Sequence, residues 1–247
     1  MDLTKEALQY LAENTIKPKE RVVKIGGSNF VIDEAGHYDR IKPRVYNAKD
    51  PLIIKTLTGL VDYIKSNLER KEAKLLLHIE KPDEVSLMGL LAEDGSREYL
   101  ASAQAIVPRF NFDYYLDIEE FNVALQSVFA PTADRDILLK VVGNLKEDNV
   151  KTTGDDGVSQ AVTIKTGVAT AADVKVPNPV TLAPYRTFIE VKQPESKFIF
   201  RMKDGPRGAI FEADGGAWRN QAILNIKTFL EEQLTNEIAS GKITILA

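Results

Sequence analysis

From residue 50 onward, Ile53, Leu57, Leu60, Val61, Ile64 and Leu68 recur at intervals of three and four and share one helical face. Asp50 has the chemistry of an N-cap and Pro51 the fixed φ of a first helical position, so the spacing predicts a helix that starts there. Such a face needs a sheet to cover it. The stretch "AKLLLHIEKPDEVSLMGLLAEDGSREYLASAQAIV" supplies three strand-like runs, broken at Pro82–Asp83 and at "EDGS", which read as an antiparallel meander. Upstream, residues 3–14 pattern as a short helix on Leu3, Ala7, Leu8 and Leu11, and "RVVKIGGSNFVID" alternates around Gly26 and Gly27 as a hairpin.

Further along, "DIEEFNVALQSVFA" sets Asp117 and Glu120 at capping-box spacing and aligns Ile118, Phe121, Leu125, Val128 and Phe129. A second helix follows in "TADRDILLKVVGNL", with Ile137, Leu138, Val141, Val142 and Leu145 inward. Periodicity then lapses from Lys146 to about Gly157, which reads as a long polar crossover loop. Pro177 and Pro179 make "VPNPV" an extended connector. Two strands are expected in "YRTFIEV" and "SKFIFRM", then a turn at "KDGPRG" and a strand in "AIFEA". The closing helix turns Trp218, Ala222, Ile226, Phe229, Leu230 and Leu234 inward, and "KITILA" is left as an edge strand or a segment that crosses to a second subunit. The pattern is that of an α+β fold, mostly antiparallel sheets with packed amphipathic helices, in an N-terminal unit of residues 1–112 and a C-terminal unit of 113–247, possible as one continuous domain.

Composition narrows the chemistry. Lys plus Arg number 32 against 36 Asp plus Glu, a net charge of −4, so no overall basic field attracts a phosphate backbone. The acidity concentrates in residues 113–170, where ten acidic groups face five basic ones. With no cysteine, the chain has no disulfide, thiolate zinc site or cysteine nucleophile. The N-terminal residues do not have the basic-then-apolar order of a signal peptide, and no apolar run approaches the roughly 20 residues of a membrane span. A soluble protein of the cytoplasm, away from any membrane, is therefore expected.

Several stretches together resemble a family of phage and prophage proteins, the YfdQ-like family: "TLTGLVDYIKSN" at 56–67, "VVGNLKEDNVKTTGDDGVSQAVTIKTG" at 141–167, "PYRTFIEVKQPESKFIFRMKDG" at 184–205 and "AIFEADGGAW" at 209–218. The resemblance covers most of the chain. It implies expression inside a bacterial host, beside genes for DNA recombination and replication. No catalytic residues are assigned in that family, so none carry over.

Motif chemistry leaves a small set of candidates. "GVSQA" around Ser159 falls one letter short of the G-x-S-x-G elbow and follows a polar run rather than a strand, and no P-loop or G-x-G-x-x-G is present. Glu190 and Lys192, two apart on an expected strand, form the E-x-K half of a PD-(D/E)-x-K nuclease, a catalytic alternative that requires Mg2+. Asp155 and Asp156 could ligate that cation with hydroxyl oxygens of Thr152, Thr153 or Ser159, although the calcium-loop pattern is missing. Lys151 with these residues also makes the 146–167 segment a candidate lid for a nucleotide or signal ligand. Asp214, before Gly215 and Gly216, is placed to cap the last helix and leave N–H groups for an anion, while Trp218 is expected in the core or on a base. The cations Arg186, Lys192, Lys197, Arg201, Lys203 and Arg207 alternate with aromatics, with Lys197, Ile199 and Arg201 on the outer side of a strand. Without a complete catalytic constellation, the expectation is a non-enzymatic phage accessory protein without a cofactor. It would act by binding, in phage DNA recombination or replication or in countering a host defence, with a host or phage protein as partner and nucleic acid a partner that the net charge does not favour, and associate with copies of itself through its apolar ends.

Overall fold

The computed structural model describes residues 5, 21–33, 36–41, 47–69, 73–92, 95–143, 150–155, 160–164, 172–203 and 207–247. The chain divides after residue 47 into two units, rather than near residue 112. In the first, β1 (Val22–Ile25), β2 (Ser28–Ile32) and β3 (Tyr38–Arg40) form an antiparallel sheet in that order. Gly26 and Gly27, at φ +56° and +84°, make the tight turn of the expected hairpin, because a two-residue link with both φ values positive matches strand twist. The helix expected over 3–14 lies, apart from Lys5, outside the described residues.

The second unit opens with β4 (Leu52–Ile54) and α1 (Leu57–Ser66). The helix starts later than Asp50 and Pro51 suggest. Leu52–Ile54 is held extended by parallel pairing with the third meander strand, and the Thr56 hydroxyl accepts the Gly59 N–H at 3.0 Å as the actual N-cap. Ile53 and Leu68, expected inside, are exposed, whereas Leu57, Leu60, Val61 and Ile64 are buried. The meander is as read: β5 (Leu75–Lys81), β6 (Glu84–Gly89) and β7 (Tyr99–Gln104) pair antiparallel.

Next come β8 (Leu116–Asp117), α2 (Ile118–Ser127), β9 (Phe129–Ala130) and α3 (Ala133–Gly143). The Asp117 carboxylate accepts the Glu120 N–H at 2.9 Å, the cap that the spacing implies. The stretch expected as a polar loop instead contains β10 (Val150–Asp155), which joins β11 (Gln160–Ile164) and β12 (Ala172–Lys175) in an antiparallel sheet. Threonine is a good strand former, so Lys151–Thr153 needs no apolar alternation to extend.

β13 (Val180–Pro184), β14 (Ser196–Lys203) and β15 (Arg207–Glu212) follow; the turn expected at "KDGPRG" lies partly outside the described residues. "YRTFIEV" is a loop, not a strand. The chain ends in α4 (Trp218–Gln233), α5 (Thr235–Ala239) and β16 (Ile243–Leu246), the last an edge strand parallel to β5. Two five-stranded sheets result, the mixed β16-β5-β6-β7-β4 and the wholly antiparallel β8-β15-β14-β13-β9. Each has its own core: α1, α4 and the meander bury Leu60, Leu77, Leu87 and Leu230, while α2, α3 and the second sheet bury Phe121, Leu138, Phe198 and Phe200. No helix among the described residues is long and apolar enough to cross a membrane.

Candidate functional site

Strand alternation sorts β14 into two faces. Ser196, Phe198, Phe200 and Met202 are buried, and Lys197, Ile199, Arg201 and Lys203 point outward. Register then fixes their neighbours: Lys203 stands opposite Arg207, Arg201 opposite Ala209, Ile199 opposite Phe211 and Lys197 opposite Thr181. Tyr115 approaches Phe211 edge-on at 6.0 Å, and the Lys203 ammonium lies 4.0 Å from the centre of the Tyr115 ring. The outer face thus carries four cationic side chains around two aromatic rings. Among its described strand positions the one carboxylate is Asp117, opposite Arg207, and that group already caps α2.

The loop between β13 and β14 accounts for the opposite side. Gln193, buried, accepts the N–H groups of Arg186 and Thr187 through Oε1 and donates through Nε2 to the carbonyls of Phe188 and Val191. One amide side chain therefore replaces the ladder bonds that a strand over 185–191 would have made. The loop also carries the Thr187 hydroxyl to the Pro82 carbonyl and buries Phe188 and Val191 in the first core. Glu190 is turned toward α1, where its carboxylate accepts the Thr58 N–H at 3.2 Å; that helix has no acidic residue in its own first turn. Lys192 is exposed and pairs with Glu195 at 3.7 Å. The strand on which the E-x-K pairing depends does not exist, so Glu190 and Lys192 do not share a strand face.

Arg186, expected on the outer strip, is instead buried with its side chain 9% exposed. Its guanidinium donates to Glu212 and to the Ser196 hydroxyl, both at 2.5 Å, and lies 3.9 Å from the centre of the Trp218 ring. Phe112 and Phe198 flank it at 5.7 and 5.6 Å, and Arg219 covers the same tryptophan at 5.0 Å. Burial pushes the Arg186 pKa down to about 10, against the pull of Glu212 and Asp214, so it stays charged at neutral pH. Its Nε–H and the Trp218 indole N–H are buried without an acceptor among the described residues.

Asp214 behaves as expected in part. Burial disfavours its charge, but hydrogen bonds from the Gly216 N–H, the Ser196 hydroxyl and the Trp218 N–H, with Arg186 nearby, outweigh this and hold its carboxyl below the usual range. The N–H groups thought open to an anion are filled by Asp214 itself. Trp218 is neither plain core nor an open base platform, because its ring is in contact with two guanidinium groups, those of Arg186 and Arg219.

Beside this cluster a cleft of about 240 Å3 opens between Pro108, Arg109, Phe110 and Phe112 on one side and Tyr185 and Arg186 on the other. Of the remaining sequence candidates, Lys151, Thr152, Thr153 and Asp155 lie along β10, while Asp156 and Ser159 lie outside the described residues. Arg201 stands on the outer sheet face, away from the buried side that Asp214 and Trp218 share with Arg186. No cluster of three acidic or histidine side chains suited to a metal occurs among the described residues. Tyr115, Phe211 and Arg109 escaped the sequence reading because their partners come from other strands or loops. No protein-family model, curated protein or solved structure matches the chain.

Proposed function

We propose that the chain is a phage or prophage accessory protein of the host cytoplasm that acts by binding, and that the outer face of β13–β14–β15 is its surface for single-stranded nucleic acid. The observation that carries this reading is the grouping of Lys197, Arg201, Lys203 and Arg207 around Tyr115 and Phe211 on one exposed sheet face. Alternate strand residues are spaced by about 6.8 Å, so Lys197, Arg201 and Lys203 form one row along β14, with Arg207 and the Phe211 ring beside it on β15. Rows of cations suit phosphates and the rings suit unstacked bases, which contribute about 1–3 kcal/mol each by stacking. A net charge of −4 is compatible with this, because the contact is local and short. Self-association belongs to the same proposal: β4 is a sheet edge whose Leu52 and Ile53 are exposed.

Fluorescence polarisation with a labelled oligothymidine tests the surface. Four phosphate contacts predict a slope of log affinity against log salt of about −3 for a single strand. Lys203→Glu is expected to weaken binding by about tenfold or more and flatten that slope, whereas Tyr115→Ala should weaken binding with the slope unchanged. Absence of binding at low salt, or indifference to both substitutions, would remove the surface from consideration.

A further inference from the structure

We propose that the cleft between residues 108–112 and 184–186 is a binding site for a small aromatic anion, a ring bearing one phosphate or carboxylate. It is built from other residues than the outer sheet face and does not depend on that surface. Its walls are flat and apolar: Phe110 packs edge-on against Phe112 at 4.8 Å and against Phe129 at 5.2 Å, which fixes its ring, and Pro108 and Pro184 line the cleft without offering an N–H. At about 240 Å3 it has room for a ring and one substituent.

The polar groups give the ligand its charge. Arg109 is exposed at the cleft, and Arg186, held in place by Glu212, Ser196 and the Trp218 ring, also lines it. That guanidinium is fixed, so its positive charge stays at the lining of the cleft with or without a ligand. Two guanidinium groups, one rigid and one free to swing, favour an anionic oxygen over a neutral one, and the aromatic wall favours a ring over a bare ion.

The chain has a single tryptophan, Trp218, in direct contact with Arg186, and its emission is a built-in reporter. Titration of the full chain with phenyl phosphate or benzoate is expected to give a saturable change in that emission, with a dissociation constant below about 1 mM for at least one of them. Inorganic phosphate and benzyl alcohol, each lacking one half of the pharmacophore, should bind at least about tenfold more weakly. Arg109→Ala should weaken binding by about tenfold without changing the melting temperature, Arg109→Lys should restore part of it, and Lys227→Ala, on the exposed side of α4, should change nothing. A flat titration with all four compounds, confirmed by calorimetry, overturns the proposal, as does equal binding of inorganic phosphate or full retention of affinity in Arg109→Ala. Preference for phenyl phosphate over benzoate, or the reverse, assigns the anion.

Discussion

Burying the guanidinium of Arg186 removes it from water, and its neighbours replace that hydration in kind: a carboxylate, a hydroxyl and the face of an indole. None of these contacts is visible along the sequence, because Arg186, Glu212 and Trp218 come from a loop, a strand end and a helix start. The cap chemistry of "ADGG" was visible, but the N-cap position of α4 falls on Ala217, and the Asp214 carboxylate instead holds the turn before the helix through the Gly216 and Trp218 N–H groups. Its folded carboxyl lies below the ordinary 3.8, so the folded chain binds fewer protons at this group than the unfolded chain does. The resulting stabilisation is present above the ordinary value and is lost as pH falls through the lower folded one. Asp214→Asn is therefore expected to cost about 1 kcal/mol at neutral pH and progressively less below about pH 4, measured by urea denaturation across pH. A difference that stayed constant into strong acid would contradict the assignment.

Helices with a cap and a clear apolar stripe, such as α2 over Ile118–Ser127, were legible at the level of elements because their signals are local. The start of α1 was not, since pairing of Leu52–Ile54 with β7 overrides the helix chemistry of Asp50 and Pro51. "YRTFIEV" failed for a related reason: β-branched and aromatic residues satisfy strand propensity, but Gln193 offers the backbone another set of partners and the buried positions anchor a loop. Gln193→Leu removes two acceptor contacts and two donor contacts at once from buried backbone, so a loss of about 3 kcal/mol or more is expected by denaturant unfolding. A loss of less than about 1 kcal/mol would show that water or a shifted loop replaces the amide.

Across the whole molecule, the α+β class followed from the alternation of helical and strand periods, whereas the return of α4 and β16 to the meander of residues 75–104 could not, because non-local pairing leaves no periodic trace. The β13–β14 loop ties the two cores, with Phe188 and Val191 in one and Arg186 among the Phe112 and Phe198 rings of the other. Residues 48–247 are accordingly expected to unfold in a single calorimetric transition, with van't Hoff and calorimetric enthalpies equal; two resolved transitions would mean that the cores are independent. Charge is likewise a property that the total hides: a chain of net charge −4 gathers Lys197, Arg201, Lys203 and Arg207 on one sheet face, and only register reveals Tyr115 and Phe211 among them. The measurement that tests this surface most directly is photocrosslinking of a bromouracil-substituted single strand to the full chain, with the modified peptide mapped by mass spectrometry. The account predicts adducts on Tyr115 or Phe211 that disappear as salt is raised. Adducts confined to other residues, or none under conditions where the strand is bound, would contradict it.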